Sequence, residues 1–175
     1  PISIVYGTEK FLTQTLKRLL DSGSTPSLLL VESSCSLSLI GDDLAGIVRK
    51  MELPYPFITM DCGGLVGGFA EGYTKAAISV VDNFSNKNLE VQANSVNVLG
   101  LSDFYYNGTA DRKEICRLLK MAGYKINAIP GSGSSLEDLG KLGAAGLNIV
   151  CNEELGLKLA KHLEKVFGTP YVVVG

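Results

Sequence analysis

Ser27-Leu28-Leu29-Leu30-Val31 is an apolar run of strand length, long enough for a strand buried on both faces. Glu32-Ser33-Ser34-Cys35-Ser36-Leu37-Ser38-Leu39-Ile40-Gly41-Asp42-Asp43 then leads into Leu44, Ile47, Val48 and Met51, which recur at helical spacing. Phe57-Ile58-Thr59-Met60 returns to strand character. A strand, a helix and a second strand in so short a stretch form a βαβ unit, whose strands run parallel because the helix must cross back over the sheet.

The same alternation extends in both directions. Upstream, Ile2 to Tyr6 reads as a strand, and Leu12, Leu16, Leu19 and Leu20 as a helix ended by Gly23. Downstream, Gly67 to about Val81 is a helix rich in small residues. Residues 82–93 are polar and Asn-rich, the composition of a linker. The pattern then restarts with strands at Val96–Leu99, Lys125–Ile129 and Leu147–Val150. Helices follow over Ile115–Ala122, over Ser135–Leu142 (opened by the capping box Ser135-x-x-Asp138) and along Leu155, Leu159, Leu163 and Val166. The expected fold class is α/β, with consecutive Rossmann-like units, parallel sheets and helices on both faces. The expected domains are residues 1–84, a linker at 85–95 and residues 96–175, with the second domain truncated at its C-terminal end. Ligands in such sheets sit outside the carboxyl ends of the strands.

Composition narrows the functional classes. Apolar residues make up 46% and charged residues 19%, a globular balance. The net charge of −2 offers no basic surface for nucleic acid. No apolar run approaches the roughly 20 residues of a bilayer span, and no signal peptide is visible. Neither nucleic acid nor a membrane is therefore an expected partner, and the expected location is cytoplasmic. Four cysteines, Cys35, Cys62, Cys116 and Cys151, stand apart without a CxxC pair, so reduced thiols are expected and a zinc ribbon is excluded. The chain opens at Pro1 and closes on Val172-Val173-Val174-Gly175, so it is expected to be part of a longer protein.

Four strand ends could carry chemistry. Cys35 lies in a strand-to-helix turn, near backbone N–H groups that favour a thiolate, with Asp42 and Asp43 placed to suit a helix start; the alternative is a small buried cysteine with two capping carboxylates. Asp61-Cys62-Gly63-Gly64-Leu65-Val66-Gly67-Gly68 would let a ligand or a second subunit approach the backbone, or would form a tight packing turn. Close approach predicts a positive φ, or no room for a Cβ, at Gly63, Gly64, Gly67 or Gly68. Cys151 ends another strand before a helix and reads as either structural or ligand-binding. Pro130-Gly131-Ser132-Gly133-Ser134-Ser135 reads as a loop with an N-cap. His162, the sole histidine, sits among lysines in the last helix, and no Ser-His-Asp or histidine–metal site can be built around it. Cys116 flanks a core stripe, and Asn107-Gly108-Thr109 reads as a turn and cap.

The stretch around Cys35 resembles the Cys-Pro-x-Gly-x-Ile-Gly-Asp-Asp signature of nitrogenase component 1 subunits. Asp61 to Gly67 is similar to that family's Cys-x-Gly-Phe-x-Gly segment, and Val96-Asn97-Val98-Leu99-Gly100 to its Val-Asn-Ile-Ile-Gly strand. Ile115 to Gly133 and Asn148 to Tyr171 follow two further family segments, in order and spacing. The resemblance implies a central segment of a heterotetramer subunit, with a homologous second subunit and an ATP-dependent iron protein as electron donor. It implies that Cys35 ligates an iron–sulfur cluster with ligands outside this chain, and that Gly63, Gly64, Gly67, Cys62 and Cys151 serve a cofactor, with a second metal cofactor possible in the whole complex. The chain alone would hold no cluster and would be inactive.

Departures bear on the activity. Ser36 and Ser38 replace the Pro and Gly of the signature, and Ala70 and Thr74 fall where molybdenum-nitrogenase α subunits carry Gln and His. The cofactor-ligating Cys aligns with Asn152, one residue past Cys151. Nitrogen fixation itself is thus in doubt. The expected function is a nitrogenase-like oxidoreductase subunit passing low-potential electrons to a bound cofactor or substrate. The alternatives are a non-catalytic scaffold for nitrogenase cofactor maturation and an unrelated Rossmann-like small-ligand module.

Overall fold

The computed structural model describes residues 8–35, 41–64 and 67–175, and its contacts divide the chain into Pro1–Gly68 and Phe69–Gly175. The strand expected at Ile2–Tyr6 lies outside the described residues.

The first unit contains α1 (Glu9–Asp21), β1 (Leu29–Ser33), α2 (Leu44–Lys50) and β2 (Phe57–Asp61). β1 and β2 pair in parallel, from Leu29 opposite Phe57 to Ser33 opposite Asp61. β1 starts two residues later than its apolar run. Leu30 and Glu32 are exposed, so the strand alternates and is not buried on both faces. Among the described residues it has a single strand neighbour. Helix α1 ends as expected, with Gly23 at φ 71°. The acidic pair has structural work: the Asp42 carboxylate accepts from the Thr8 N–H at 2.7 Å and its hydroxyl at 2.6 Å, ahead of α1. Asp43 caps α2 by accepting the Gly46 N–H at 2.8 Å.

The second unit contains α3 (Phe69–Phe84), β3 (Gln92–Leu99), α4 (Gly108–Met121), β4 (Lys125–Ala128), α5 (Leu136–Gly140), β5 (Ala145–Val150), α6 (Glu153–Phe167) and β6 (Tyr171–Val173). Its four strands are parallel in the order β4-β3-β5-β6. The chain leaves β3 to one side for β4 and returns past it to β5, so the topological switch lies between β3 and β5. Adjacent residues of β3 serve opposite faces. Leu99 joins Val81 of α3 and Leu159 and Leu163 of α6 in one apolar cluster. Val98 joins Leu101 and Ile129 in another, on which Ile115 and Leu119 of α4 pack. Helices therefore cover both faces, as the alternation implies. Residues 95–99 are buried without interruption, which is why this stretch reads as apolar sequence apart from Ser95 and Asn97.

The contact boundary differs from the expected domains 1–84 and 96–175. It falls between Gly68 and Phe69, ahead of the polar stretch at 85–95. Helix α3 belongs with the second unit because Val81 and Ala77 bury against the α6 cluster. The Ser85 hydroxyl donates to the Leu139 carbonyl at 3.1 Å and the Asn86 N–H to that of Gly140 at 3.0 Å, and β3 already begins at Gln92. The polar residues thus form a helix-to-strand loop within one unit.

An amide ladder crosses this sheet. Asn97 and Asn148, on β3 and β5, are fully buried. Asn97 Nδ2 donates to Asn148 Oδ1 at 2.8 Å and to the Leu142 carbonyl at 2.9 Å, while its Oδ1 accepts from Asn127 Nδ2 at 2.7 Å. Asn148 Nδ2 continues to the Thr169 carbonyl at 3.3 Å. Buried amides are tolerated because these bonds replace water.

Candidate functional site

The two units present strand ends of different character. In the first, the parallel register brings the ends of β1 and β2 side by side. The Ser33 hydroxyl donates to Asp61 Oδ1 at 2.6 Å, and the Gly63 N–H to the same oxygen at 3.2 Å. This fixes the start of the glycine loop against β1. Two residues past β1, Cys35 is exposed, and the Gly64 N–H donates to its sulfur at 3.0 Å. The expected pairing of a strand-end thiol with backbone donors is thus present, supplied by the neighbouring strand's loop.

The loop glycines differ among themselves. Gly67 has φ 149°, a conformation L residues rarely adopt. Gly64 is not forced by space, because a Cβ there would lie 3.6 Å from the Cys35 sulfur, an ordinary contact. Gly63 is buried and Cys62 exposed. A cleft of about 260 Å³ opens beside these strand ends, lined by Ser33, Asp42, Asp43, Thr59 and Asp61 among others. Among the described residues, no group of three or more His, Cys, Asp or Glu side chains is arranged to hold a metal ion.

In the second unit, a cleft of about 280 Å³ lies at the switch between β3 and β5. Gly100, Ser102, Tyr105, Asp111, Glu114 and Cys151 contribute to its walls, with Asn152. Gly100 is essential to its floor. It has φ +84°, and a Cβ would meet the Asn152 carbonyl oxygen at 2.5 Å. The end of β3 therefore lies directly against the start of α6, an approach that Gly156 allows from the helix side. Cys151 is half-buried, and its thiol titrates above the ordinary cysteine value, first through burial and then through the charge Cys116 would carry. Asn152 caps α6 by accepting the Leu155 N–H at 3.0 Å. The residue aligned with the family's cofactor-ligating Cys thus has a structural partner of its own.

Ala70 and Thr74, aligned with the Gln and His of molybdenum-nitrogenase α subunits, lie buried on α3. Thr74 Oγ1 makes no hydrogen bond among the described residues. The Pro130–Ser135 loop is more built than a plain connection. Gly131 and Gly133 take φ 77° and 85°, the Ser134 hydroxyl accepts the Ile129 N–H at 2.7 Å, and Ser135 and Asp138 form the expected capping box. Buried Ser132 donates to Asp103 Oδ1 at 2.6 Å and, with Arg112 beyond it, holds that carboxyl below the usual range. His162 Nε2 meets Asp82 Oδ1 at 2.7 Å between α6 and α3, away from both clefts.

Sequence reasoning named Gly100 only as the end of a family strand and passed over the cleft residues Tyr105, Asp111 and Glu114. Their signal was available in Gly100, a glycine directly after an uninterrupted buried strand at the point where ligands collect in open parallel sheets. The aromatic run Phe104-Tyr105-Tyr106 beside it was also passed over. Phe104 and Tyr106 are 90% and 93% exposed, which sets them apart from the core.

Parallel strands with a switch-point cleft make this an α/β protein of Rossmann-like type, and the family profile it matches is that of the nitrogenase component 1 type oxidoreductases. The chain belongs to that family, whose profile matches residues 2–175. Among its relatives is a subunit of the light-independent protochlorophyllide reductase of Nostoc punctiforme, 28% identical over 164 residues, covering 87% of this chain and 32% of that protein. The corresponding protochlorophyllide reductase subunit from Chloroherpeton thalassium is 30% identical over 169 residues, covering 94% and 30%. A solved structure of nitrogenase Cp1 at pH 5 superposes with a TM-score of 0.81 at 27% identity, covering 98% of this chain and 34% of that one. The chain spans about a third of the length of these relatives. No helix among the described residues is long and apolar enough to cross a membrane.

Proposed function

We propose that this chain is the segment of a cytoplasmic, nitrogenase-like component 1 subunit that supplies Cys35 as one ligand to an iron–sulfur cluster shared with a homologous second subunit. In this reading an ATP-dependent iron protein delivers low-potential electrons, which pass on to a substrate or second cofactor held by the whole complex. The observation that carries the reading is the exposed Cys35 sulfur under the Gly64 N–H, at the paired ends of two parallel strands.

The residues fit the group in kind. Thiolates are the usual ligands of iron–sulfur clusters, and an exposed thiol at a strand end can be reached by ligands from other segments. Cys62, exposed on the adjoining loop, is a candidate for the same surroundings together with Gly63, Gly64 and Gly67, of which Gly67 takes a positive φ of 149°. In this reading the remaining ligands come from segments outside the chain; among the described residues no group of three or more ligating side chains is gathered. When bound, the cluster accepts and releases electrons one at a time. Cys35 would anchor it, and the Gly64 N–H, directed at the ligating sulfur, would tune it.

A second reading, a scaffold for maturation of a nitrogenase cofactor, is favoured by a separate observation. Asn152 is engaged as a helix cap, Ala70 is apolar and Thr74 carries a hydroxyl, so none of these positions offers a thiolate or an imidazole. Cys151 remains at the wall of the second cleft as the sulfur nearest to that role.

The test is anaerobic purification of the full-length protein with its partner, followed by iron analysis and electron paramagnetic resonance. Cys35→Ala should lower the iron content and abolish or alter the reduced-state signal while the subunits stay assembled. Normal iron content with an unchanged spectrum would overturn the assignment. Turnover with a reductant and the iron protein then separates reductase from scaffold: the scaffold retains cofactor but consumes no substrate.

A further inference from the structure

We propose that a cavity of the second unit, between α3 and the chain from Pro130 to Leu142, binds a small uncharged apolar molecule the size of a single aromatic ring. The inference is independent of the cluster reading, because every residue that lines the cavity belongs to the second unit and none is a cysteine.

The packing of α3 leaves this space. Ala76 and Ala77 put short side chains on its wall one turn before Val80, and α5 with the turn after it supplies Leu139 and Leu142. A cavity of about 190 Å³ stays unfilled among them. Protein interiors leave few voids larger than a water molecule, so an apolar space of this size beside a core calls for an occupant. Pro130 and Gly131 complete the lining. Gly131 takes φ +77°, and a Cβ there would collide with the Tyr73 ring, so the loop lies directly on that ring.

The polar groups of the lining residues are already engaged. The Tyr73 hydroxyl lies 2.6 Å from the Pro130 carbonyl and 2.9 Å from that of Leu101, which leaves its ring as an apolar wall. Burial pushes the Tyr73 phenol up to about 12, so it carries no charge at neutral pH. The Leu139 carbonyl accepts from the Ser85 hydroxyl, and the Leu142 carbonyl from Asn97 Nδ2. The α3 residues of the wall lie inside their helix, where backbone groups bond to one another. Among the described residues no charged side chain lines the cavity.

These walls select the occupant. A buried water needs several polar partners, and the engaged carbonyls and hydroxyl offer it little. A charged ligand would give up its hydration with no countercharge in return. An apolar molecule gains dispersion contacts with the aliphatic walls and leaves no polar group unpaired. Size agrees with this choice. A dry apolar cavity of about 150 Å³ holds benzene, and this one is about 190 Å³. The competing occupant is an apolar side chain reaching in from another segment of the whole complex.

The experiment uses the full-length protein assembled with its partner. Crystals held under xenon pressure locate apolar sites, and calorimetry with benzene measures affinity. The expected result is xenon density between α3 and Leu142, with saturable benzene binding at a dissociation constant of about 0.1–1 mM. Ala76→Leu fills the cavity and should remove this site from the benzene titration. Val80→Thr keeps the shape of the wall but adds a hydroxyl, and should weaken benzene at least about fivefold while xenon density persists. This second variant keeps the test open if Ala76→Leu does not fold. The proposal is overturned if the cavity of the unsubstituted complex takes up no xenon, which is the outcome when another segment's side chain already fills it. It is also overturned if Val80→Thr binds benzene as the unsubstituted protein does.

Discussion

Replacing Asn97 by Leu probes the link between buried amides and sheet order. The substitution keeps side-chain size but removes one acceptor and two donated hydrogen bonds at a fully buried position. Asn127 retains its second bond, to the Lys141 carbonyl at 3.0 Å, so its loss is small. The Leu142 carbonyl and Asn148 Oδ1 lose the partners described above, and a stranded buried polar group costs about 1–3 kcal/mol. Two such groups give about 2–6 kcal/mol, from which the better burial of Leu takes back roughly 1 kcal/mol. The net loss should be about 3 kcal/mol, a large share of the roughly 5–15 kcal/mol typical of a domain. With a urea slope of about 1–3 kcal/mol per molar, the midpoint should fall by about 1–3 M. Circular dichroism gives the midpoint, and hydrogen exchange of β3 and β5 peptides locates the loss in this sheet. The amides carry no charge, so the loss should hold across neutral pH. Asn97→Leu with Asn148→Leu should cost less than the sum of the single changes, because the double variant removes both ends of one bond. A single-variant loss under about 1 kcal/mol, or strict additivity, would refute the ladder as a coupled network.

Two further outcomes follow from local geometry. Gly100→Ala should destabilise by about 2–4 kcal/mol, from a left-handed backbone penalty of about 1–2 kcal/mol and a clash with the Asn152 carbonyl, while Gly123→Ala, at φ +87° in open space, should cost only the backbone part; equal urea shifts would remove the close approach from the account. Asp103 titrates below its ordinary value because Ser132 and then Arg112 favour its charged form, so its contribution is complete above the unfolded carboxyl's value and is lost as pH falls through the lowered one. Ser132→Ala should move the carboxyl midpoint upward in a carbon-13 NMR titration, and an unmoved midpoint would place the cause elsewhere.

Much of this protein could be read from local pattern. Side-chain period and glycine punctuation respond to short-range chemistry, so the alternation of strands and helices and the Ser135–Asp138 capping box are visible in the sequence. The family signature, with Cys35 at a strand end, is equally local, because a strand-to-turn transition is encoded within a few residues. Side-chain partners across the fold are not local. Whether 85–95 divides domains depended on where Val81 of α3 buries, and α6, its partner in the same core cluster, begins at Glu153, far along the chain. Asp42 and Asp43 look like a ligand signature or like caps until Thr8 and Gly46 are seen donating to them. The Gly64 N–H over Cys35 arises from the register of β1 against β2, which pairs Ser33 with Asp61. The meeting of Gly100 with Asn152 follows from the crossing between β3 and β5. The sequence by itself determined the elements and their order, because those depend on contacts a few residues apart. Only the tertiary structure decided which strand ends and amides face one another, because strand order and register are set by burial summed over the whole chain.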